Sequence, residues 1–344
     1  MLLQNYTPQP TLVTPSTSVP QPAHPVIDAH NHLDTTFGGG WINRPVSELL
    51  DVLDQANVRT LVDLDGGWGE HILHTHLDHF KAAAPDRFQI FGGVDWQLWP
   101  SLANRFPDHA ATSLRQQVAR GAQGLKIWKP FGLTVRDYLN TLVPVDDPRL
   151  DPLWATAAEL RIPVLIHAAD PVAFFQPIDD NNERIEELAA HPDWHFPSPP
   201  YPSFLSILDA LSRLVARHPA TTFIGAHVGC YAENLAYVAN MLTTYPNYYI
   251  DISARLAELG RQPYTTRRFF IDHADRILFG TDMPPSLPRY QLHYRFLESA
   301  DEYFPYSLTE PPTQGRWRIY GLHLPDDVLE KIYFTNAQRI LLPK

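Results

Sequence analysis

A spacing narrows what this chain can fold into. Short, apolar, β-rich runs recur at residues 26–30, 58–64, 88–95, 123–128, 162–167, 222–227, 248–252 and 276–281. None alternates apolar with polar residues, so each reads as a strand buried on both faces. Helical patterns lie between them, for example at 46–55, 110–120, 153–160, 204–217 and 233–242, and several end at a strong stop such as Gly121 or Pro219. The strand ends repeat at intervals of about 25 to 40 residues, except for one longer interval that holds a proline-heavy insertion at 168–202. Eight successive βα units predict an α/β protein of the (β/α)8, or TIM, barrel class. A doubly wound open sheet would carry a G-x-G-x-x-G turn after its first strand, and Gly38-Gly39-Gly40 lacks that spacing.

Two segments organise around this frame. Residues 1–25 hold six prolines among Thr, Ser and Gln. They have neither the cationic start nor the apolar stretch of a secretory signal, so they read as an extended arm. Residues 26–344 then form one barrel domain with C-terminal helices. Of 344 residues, one is cysteine and the formal net charge is −11. A lone Cys230 closes no internal disulfide, which points to a reducing compartment, the cytoplasm. The acidic balance, with no basic run longer than Arg267-Arg268, argues against a nucleic-acid partner. No apolar run approaches the ~18 residues of a membrane span. A small molecule is the expected partner.

Histidine supplies the chemistry. His30 and His32 end the first run, and residues two apart on a strand share a face. His167 ends the fifth run, His227 the sixth, and Asp282 follows the eighth. Barrel enzymes build their sites at these carboxyl ends. Neutral imidazoles with one carboxylate make an N/O donor set suited to a divalent metal, Zn2+ first, with Mn2+, Fe2+ or Co2+ as alternatives. Asp282 would serve as proton acceptor beside an activated water, and His227 would polarise the substrate or shuttle a proton. The histidines at 71, 74, 76 and 79 read as a solvated or rim-facing helix.

Asp28-Ala29-His30-Asn31-His32, "PVLIHAAD" around His167, "TFIGAHVG" around His227 and "ILFGTDMPP" around Asp282 together resemble the amidohydrolase superfamily. More narrowly, they resemble its type 2, amidohydrolase-related branch, which includes aminocarboxymuconate-semialdehyde decarboxylase. The resemblance implies one divalent metal held by His30, His32, His167 and Asp282, with His227 as the catalytic histidine. It also implies a homodimer. The branch contains lactone hydrolases, decarboxylases and hydratases, so the resemblance leaves the reaction open. Lys126 stands near the position where binuclear relatives carry a carboxylated lysine. The two readings for it are a metal bridge and a rim lysine that meets a carboxylate or substrate anion.

Trp41, Trp68, Trp96 and Trp128 follow the first four runs, and tryptophan faces suit a flat ring. Trp41 and Trp128 are taken as substrate contacts, with Lys126. Arg255 is placed to clamp a carboxylate or else to pair with Glu258. Two long βα loops, 130–149 and 168–202, read as lids over the site. Cys230 reads as a small buried residue rather than a nucleophile. The expected activity is metal-dependent hydrolysis of a small, cyclic, carboxylate-bearing lactone or amide by metal-activated water. The alternative is a non-oxidative decarboxylase of a small, in one version aromatic, carboxylic acid. A binding protein without turnover is the third reading.

Overall fold

A computed structural model describes residues 9–342; residues 1–8 of the expected arm and the last two of the chain lie outside the described residues. Eight parallel strands follow the expected order: β1 (Val26–Asn31), β2 (Val58–Asp63), β3 (Phe88–Ile90), β4 (Leu125–Ile127), β5 (Val164–Ile166), β6 (Phe223–Gly225), β7 (Tyr248–Asp251) and β8 (Ile277–Leu278). Regular pairing gives two sheets, β1-β2-β3 and β4-β5-β6-β7-β8. Backbone hydrogen bonds close both seams. Gly92 N–H donates to Gly124 O at 2.9 Å and Lys126 N–H to Gly92 O at 2.8 Å, which joins β3 to β4. Ala29 N–H donates to Phe279 O at 2.9 Å and Asp282 N–H to His30 O at 2.8 Å, which joins β8 back to β1. The ring is therefore a closed barrel.

The strands divide their side chains between two cores, as a two-residue period requires. Ile27, Val62, Leu165, Ile224 and Leu278 fill the barrel interior together with Ala337 and Leu341 of the last helix. That helix plugs the end where the strands begin, since Asn336 Nδ2 donates to the carbonyls of Ala274 and Ile277 at the start of β8. Chemistry is left to the opposite end. Leu61, Leu125, Val164, Phe223 and Ile250 face outward into the larger core under the helices. The helix Phe204–Arg217 shows why such segments dock: Ile207, Leu208, Leu211, Leu214 and Val215 form its buried stripe. Ser203 caps its start by accepting from Ser206 N–H, and it stops one residue short of His218-Pro219. Each buried aliphatic side chain contributes ~1.5–3 kcal/mol, so Leu211→Asp would be the damaging change here.

The described part of the arm runs over the outside of the barrel without regular structure. Thr17 N–H and its hydroxyl both donate to the Asp301 carboxylate, at 2.6 and 2.7 Å. Ala23 N–H donates to Glu298 at 3.1 Å. In the 168–202 insertion a short turn at Val172–Phe175 and a helix at Ile185–Ala190 fold back toward the carboxyl ends of the strands. No helix among the described residues is long and apolar enough to cross a membrane.

Candidate active site

A cavity of about 420 Å3 opens at the carboxyl end of the barrel, and His30, His32, His167, His227 and Asp282 all line it. Each arrives there by its strand. The pairing register of β1 is irregular between Asp28 and Asn31, the stretch that holds His30, and both His30 and His32 lie close to Asp282. His30 Nε2 is 3.7 Å and His32 Nε2 3.2 Å from Asp282 Oδ1. His227 Nε2 approaches the other oxygen, Oδ2, at 3.7 Å. His227, Val228 and Asp282 have φ of 57°, 59° and 52°. Non-glycine residues there cost about 1–3 kcal/mol each, and such strain concentrates at functional sites.

Partners behind the rings fix which nitrogen faces the cavity. His30 Nδ1 lies 2.8 Å from Asp251 Oδ2, and His32 Nδ1 lies 2.8 Å from Asp65 Oδ1. His227 Nδ1 lies 3.0 Å from the Ser253 carbonyl oxygen. An acceptor opposite Nδ1 requires the proton on Nδ1, so each neutral ring turns a bare Nε2 lone pair inward. The lone pairs of His30 and His227 then meet the Asp282 carboxylate, and His32 adds a third once its Nε2 proton leaves. Burial holds His227 well below the ordinary imidazole range, with the charges of His167 and Arg255 acting the same way. Burial works against charge on His32 too, but the hydrogen bonds it donates to Asp282 and Asp65 outweigh it and push that ring up to about 9. Burial would raise Asp282, yet His30 and His32 hold it well below the carboxylate range.

Convergent acceptors of this kind call for a cation. Donor atoms of His30, His32 and Asp282 lie within 4.8 Å of one another, an arrangement that suits a metal ion. The carboxylates behind His30 and His32 supply the outer hydrogen bonds that metal-bound imidazoles need. His167 stands apart from this tight group. Its Nε2 is 3.3 Å from Asp170 Oδ1, yet it makes no hydrogen bond there and is buried. Its ring is 4.4 Å from the His227 ring, so it borders the same space with its Nε2 unpaired. The donor set of His30, His32 and Asp282 fits a divalent metal, and His167 lies outside that tight group.

Other expected residues are placed differently. Trp128 lines the cavity, stacked at 5.0 Å on His32 and 3.8 Å on Trp68. A Cβ on Gly67 would stand 2.6 Å from Trp128 Nε1, so the indole edge is turned to the β2 loop and only glycine lets that loop pass. Trp41 does not reach the cavity: it is buried in the outer core with the Arg44 guanidinium 3.6 Å from its ring centre. Lys126 is no rim residue. It is buried inside the barrel with Nζ 3.5 Å from His30 Nε2, and burial brings it down to about 8. Arg255 faces the cavity, while Glu258 pairs instead with Arg184. Cys230 is buried and accepts from Ala169 N–H at 3.4 Å, as a small core residue would.

Several contributors were not singled out from the sequence. Asp251, Asp65 and Ser253 orient the histidines, and Asp170 is held by Lys129 at 2.6 Å beside His167. His76 is not solvated: it is fully buried with Nδ1 2.5 Å from Asp63 Oδ2. The 168–202 insertion supplies Asp170, Phe174, Arg184, Glu187 and Trp194 to the cavity wall, whereas 130–149 supplies only Pro130. Position at or just beyond the end of a strand was the available signal for Asp65, Asp170 and Asp251, the same one that marks Asp282.

Comparison with known proteins accords with this geometry. A family model described as amidohydrolase matches residues 27–342. The chain belongs to the amidohydrolase family, in its type 2 branch. It is thus an enzyme of a metal-dependent superfamily. No curated protein matches it in sequence. Among solved structures it is similar to 2,6-dihydroxybenzoate decarboxylase from Rhizobium, at 19% identity and TM-score 0.54 over 92% of this chain and 98% of that one. An uncharacterised TIM-barrel protein from Bordetella bronchiseptica gives 17% and 0.56 over 92% and 98%. A dihydroxybenzoic acid decarboxylase from Polaromonas, solved with manganese and 2-nitroresorcinol, gives 17% and 0.50 over 92% and 96%. At these identities the likeness is one of fold.

Proposed function

We propose that this amidohydrolase-family member hydrolyses a small cyclic substrate bearing a carboxylate, a lactone or cyclic amide. The observation that carries the reading is His227, a neutral ring whose bare Nε2 points at Asp282 across the cavity. Hydrolysis needs a proton acceptor beside the attacking water, and His227 and the ionised Asp282 are both acceptors. His30, His32, His167 and Asp282 would hold one divalent ion, Zn2+ in our reading. Such an ion supplies Lewis acidity at the carbonyl and lowers the pKa of water toward ~7.

The protein's own groups divide the remaining work. His227 Nε2 takes the proton of the attacking water, and Asp282 Oδ2 relays it to the oxygen or nitrogen that leaves as the ring opens. In its neutral form His227 keeps its proton on Nδ1 against the Ser253 carbonyl and has none on Nε2 to offer an oxyanion, so it acts first as a base. Arg255 binds the substrate carboxylate, and the face of Trp128, backed by Trp68, supports the ring. The 168–202 segment serves as the cover that keeps bulk water out. The reading includes a cytoplasmic homodimer, supported by the single buried thiol and the family resemblance.

One observation favours a second reading. Trp68 and Trp128 on one wall, with Lys129 and Arg255 on the lining as well, make a slot for a flat acid, and two of the similar solved structures are decarboxylases of dihydroxybenzoic acids. Decarboxylation must end with a proton on carbon, however, and neither His227 Nε2 nor Asp282 starts with one. Product mass spectrometry separates the two. Enzyme stripped with chelator and reloaded with Zn2+ or Mn2+ is incubated with lactones, cyclic amides and hydroxylated benzoic acids. Metal-dependent gain of one water is the expected result. Loss of carbon dioxide would replace the hydrolase with the decarboxylase.

A further inference from the structure

The catalytic cavity has a neighbour. A second cavity of about 210 Å3 lies beside it, and Ala254, Met283, Thr313 and Gln314 line both. Met283 follows Asp282 directly in the chain, so the partition between the two spaces is the residue next to the proposed metal ligand. On the far side Leu256, Leu292, Tyr306 and Leu308 make a mainly apolar chamber, with Arg289 and His293 in its wall.

Arg289 is the unusual element. The arginines on the catalytic cavity have company: Arg184 pairs with Glu187 and Glu258, and Arg255 lies near enough to Glu187 and Glu233 to influence both carboxylates. Arg289 has no carboxylate partner among the described residues. Its one side-chain hydrogen bond is Nη1 donating to Pro284 O at 3.1 Å, and it is half-buried. Burial alone lowers its pKa, with no opposing charge. His293 does not supply the missing anion. It is buried, its Nδ1 donates to Arg289 O at 2.8 Å, and burial keeps it neutral by lowering it to about 4. A guanidinium offers five N–H donors and is always charged. A half-buried one with a single carbonyl bond, on the wall of an apolar chamber, has most of its donors free for an anion.

We propose that the second cavity is a substrate subsite for a carboxylate-terminated side chain. The substrate class is then a diacid: a ring with one carboxylate in the catalytic cavity, and a short apolar linker that passes Met283 to a second carboxylate on Arg289. This rests on the proposed function for the first carboxylate and the ring, and goes beyond it in fixing the second anionic group and the cavity that takes it.

Binding to the Zn2+-loaded enzyme tests this without turnover. The probes are 3-(2-carboxyethyl)benzoate and its isosteric amide 3-(2-carbamoylethyl)benzoate, measured by isothermal titration calorimetry. The acid is expected to bind at least about tenfold more tightly than the amide, a charge-assisted bond against a neutral one. Arg289→Gln is expected to collapse that ratio toward one, and Arg289→Lys to keep part of it. Equal binding of acid and amide by the unaltered enzyme would overturn the proposal whatever the variants do. A preference that survives Arg289→Gln would do the same. If no lactone or cyclic amide is hydrolysed but the Arg289-dependent preference persists, the hydrolase reading fails and the subsite stands.

Discussion

Asp251 Oδ2 stands 2.8 Å from His30 Nδ1, and that contact decides which nitrogen of His30 faces the cavity. The same residue's Oδ1 accepts from the His227 backbone N–H at 3.0 Å and from the Ser253 hydroxyl at 2.6 Å. One buried carboxylate therefore positions a proposed metal ligand and the strained turn that carries the proposed base.

Asp251→Asn should break the first of these roles while nearly preserving volume. An amide N–H2 set against His30 Nδ1 favours the wrong tautomer and turns the lone pair away from Asp282. Loss of such an outer partner typically costs about 10–100-fold in metal affinity. Competition with a chromogenic chelator measures it, and an unchanged Zn2+ affinity would show that Asp251 is not an orienting group.

His227→Asn keeps a residue type that tolerates positive φ but removes the base. The expected loss in kcat is about 10^2–10^4-fold with the metal content unchanged. The pH profile gives a second check with a defined sign. Burial lowers the His227 pKa, so its neutral form persists as pH falls below the ordinary imidazole value and disappears only when pH crosses the lowered one. The acid limb of kcat/KM should lie below about 6.5. A limb at or above that value would assign the titration to another group.

The buried pair of His76 and Asp63 predicts a stability effect remote from substrate. Asp63 Oδ1 accepts from Asp65 N–H at 3.0 Å, and Asp65 in turn holds His32. His76→Leu leaves the Asp63 carboxylate buried without its partner, a loss of about 3–5 kcal/mol. Adding Asp63→Leu should restore part of it, because the pair is then removed together. Urea melts of the two single variants and the double give the coupling; simple additivity would mean that the pair does not interact energetically.

The barrel and its centre were legible because both depend on short-range pattern. A two-faced strand advertises itself as an unbroken apolar run, and a polar residue that ends such a run is conspicuous; His30, His167, His227 and Asp282 were all read this way. What pattern could not give was distance across the fold. Trp41 and Trp128 each follow a strand, but only the second turns inward, while Trp41 packs in the outer core against Arg44. Lys126 and His76 carry charge-bearing side chains that sequence logic sends to the surface, and both are buried against partners 96 and 13 residues away. The second cavity draws on segments near 254, 283, 289–293 and 306–314, a meeting that no local spacing announces.

Asp301 offers a test of how the arm is held. Its carboxylate receives the Thr17 N–H and hydroxyl and the Arg295 guanidinium, the last at 2.7 Å. Burial would raise its pKa, but these donors outweigh burial and leave it below the ordinary carboxylate value. A group depressed on folding contributes stability that is complete above its unfolded pKa and is lost as pH falls through the folded one. The clip should therefore hold across neutral pH and through the usual carboxylate range, and release only below it. Limited proteolysis at matched protease activity reads this out: the arm should resist cleavage at neutral pH and be cut early in Asp301→Asn. If the variant's arm is as resistant as the original, the Ala23–Glu298 bond and the packing of the proline-rich backbone hold it without Asp301.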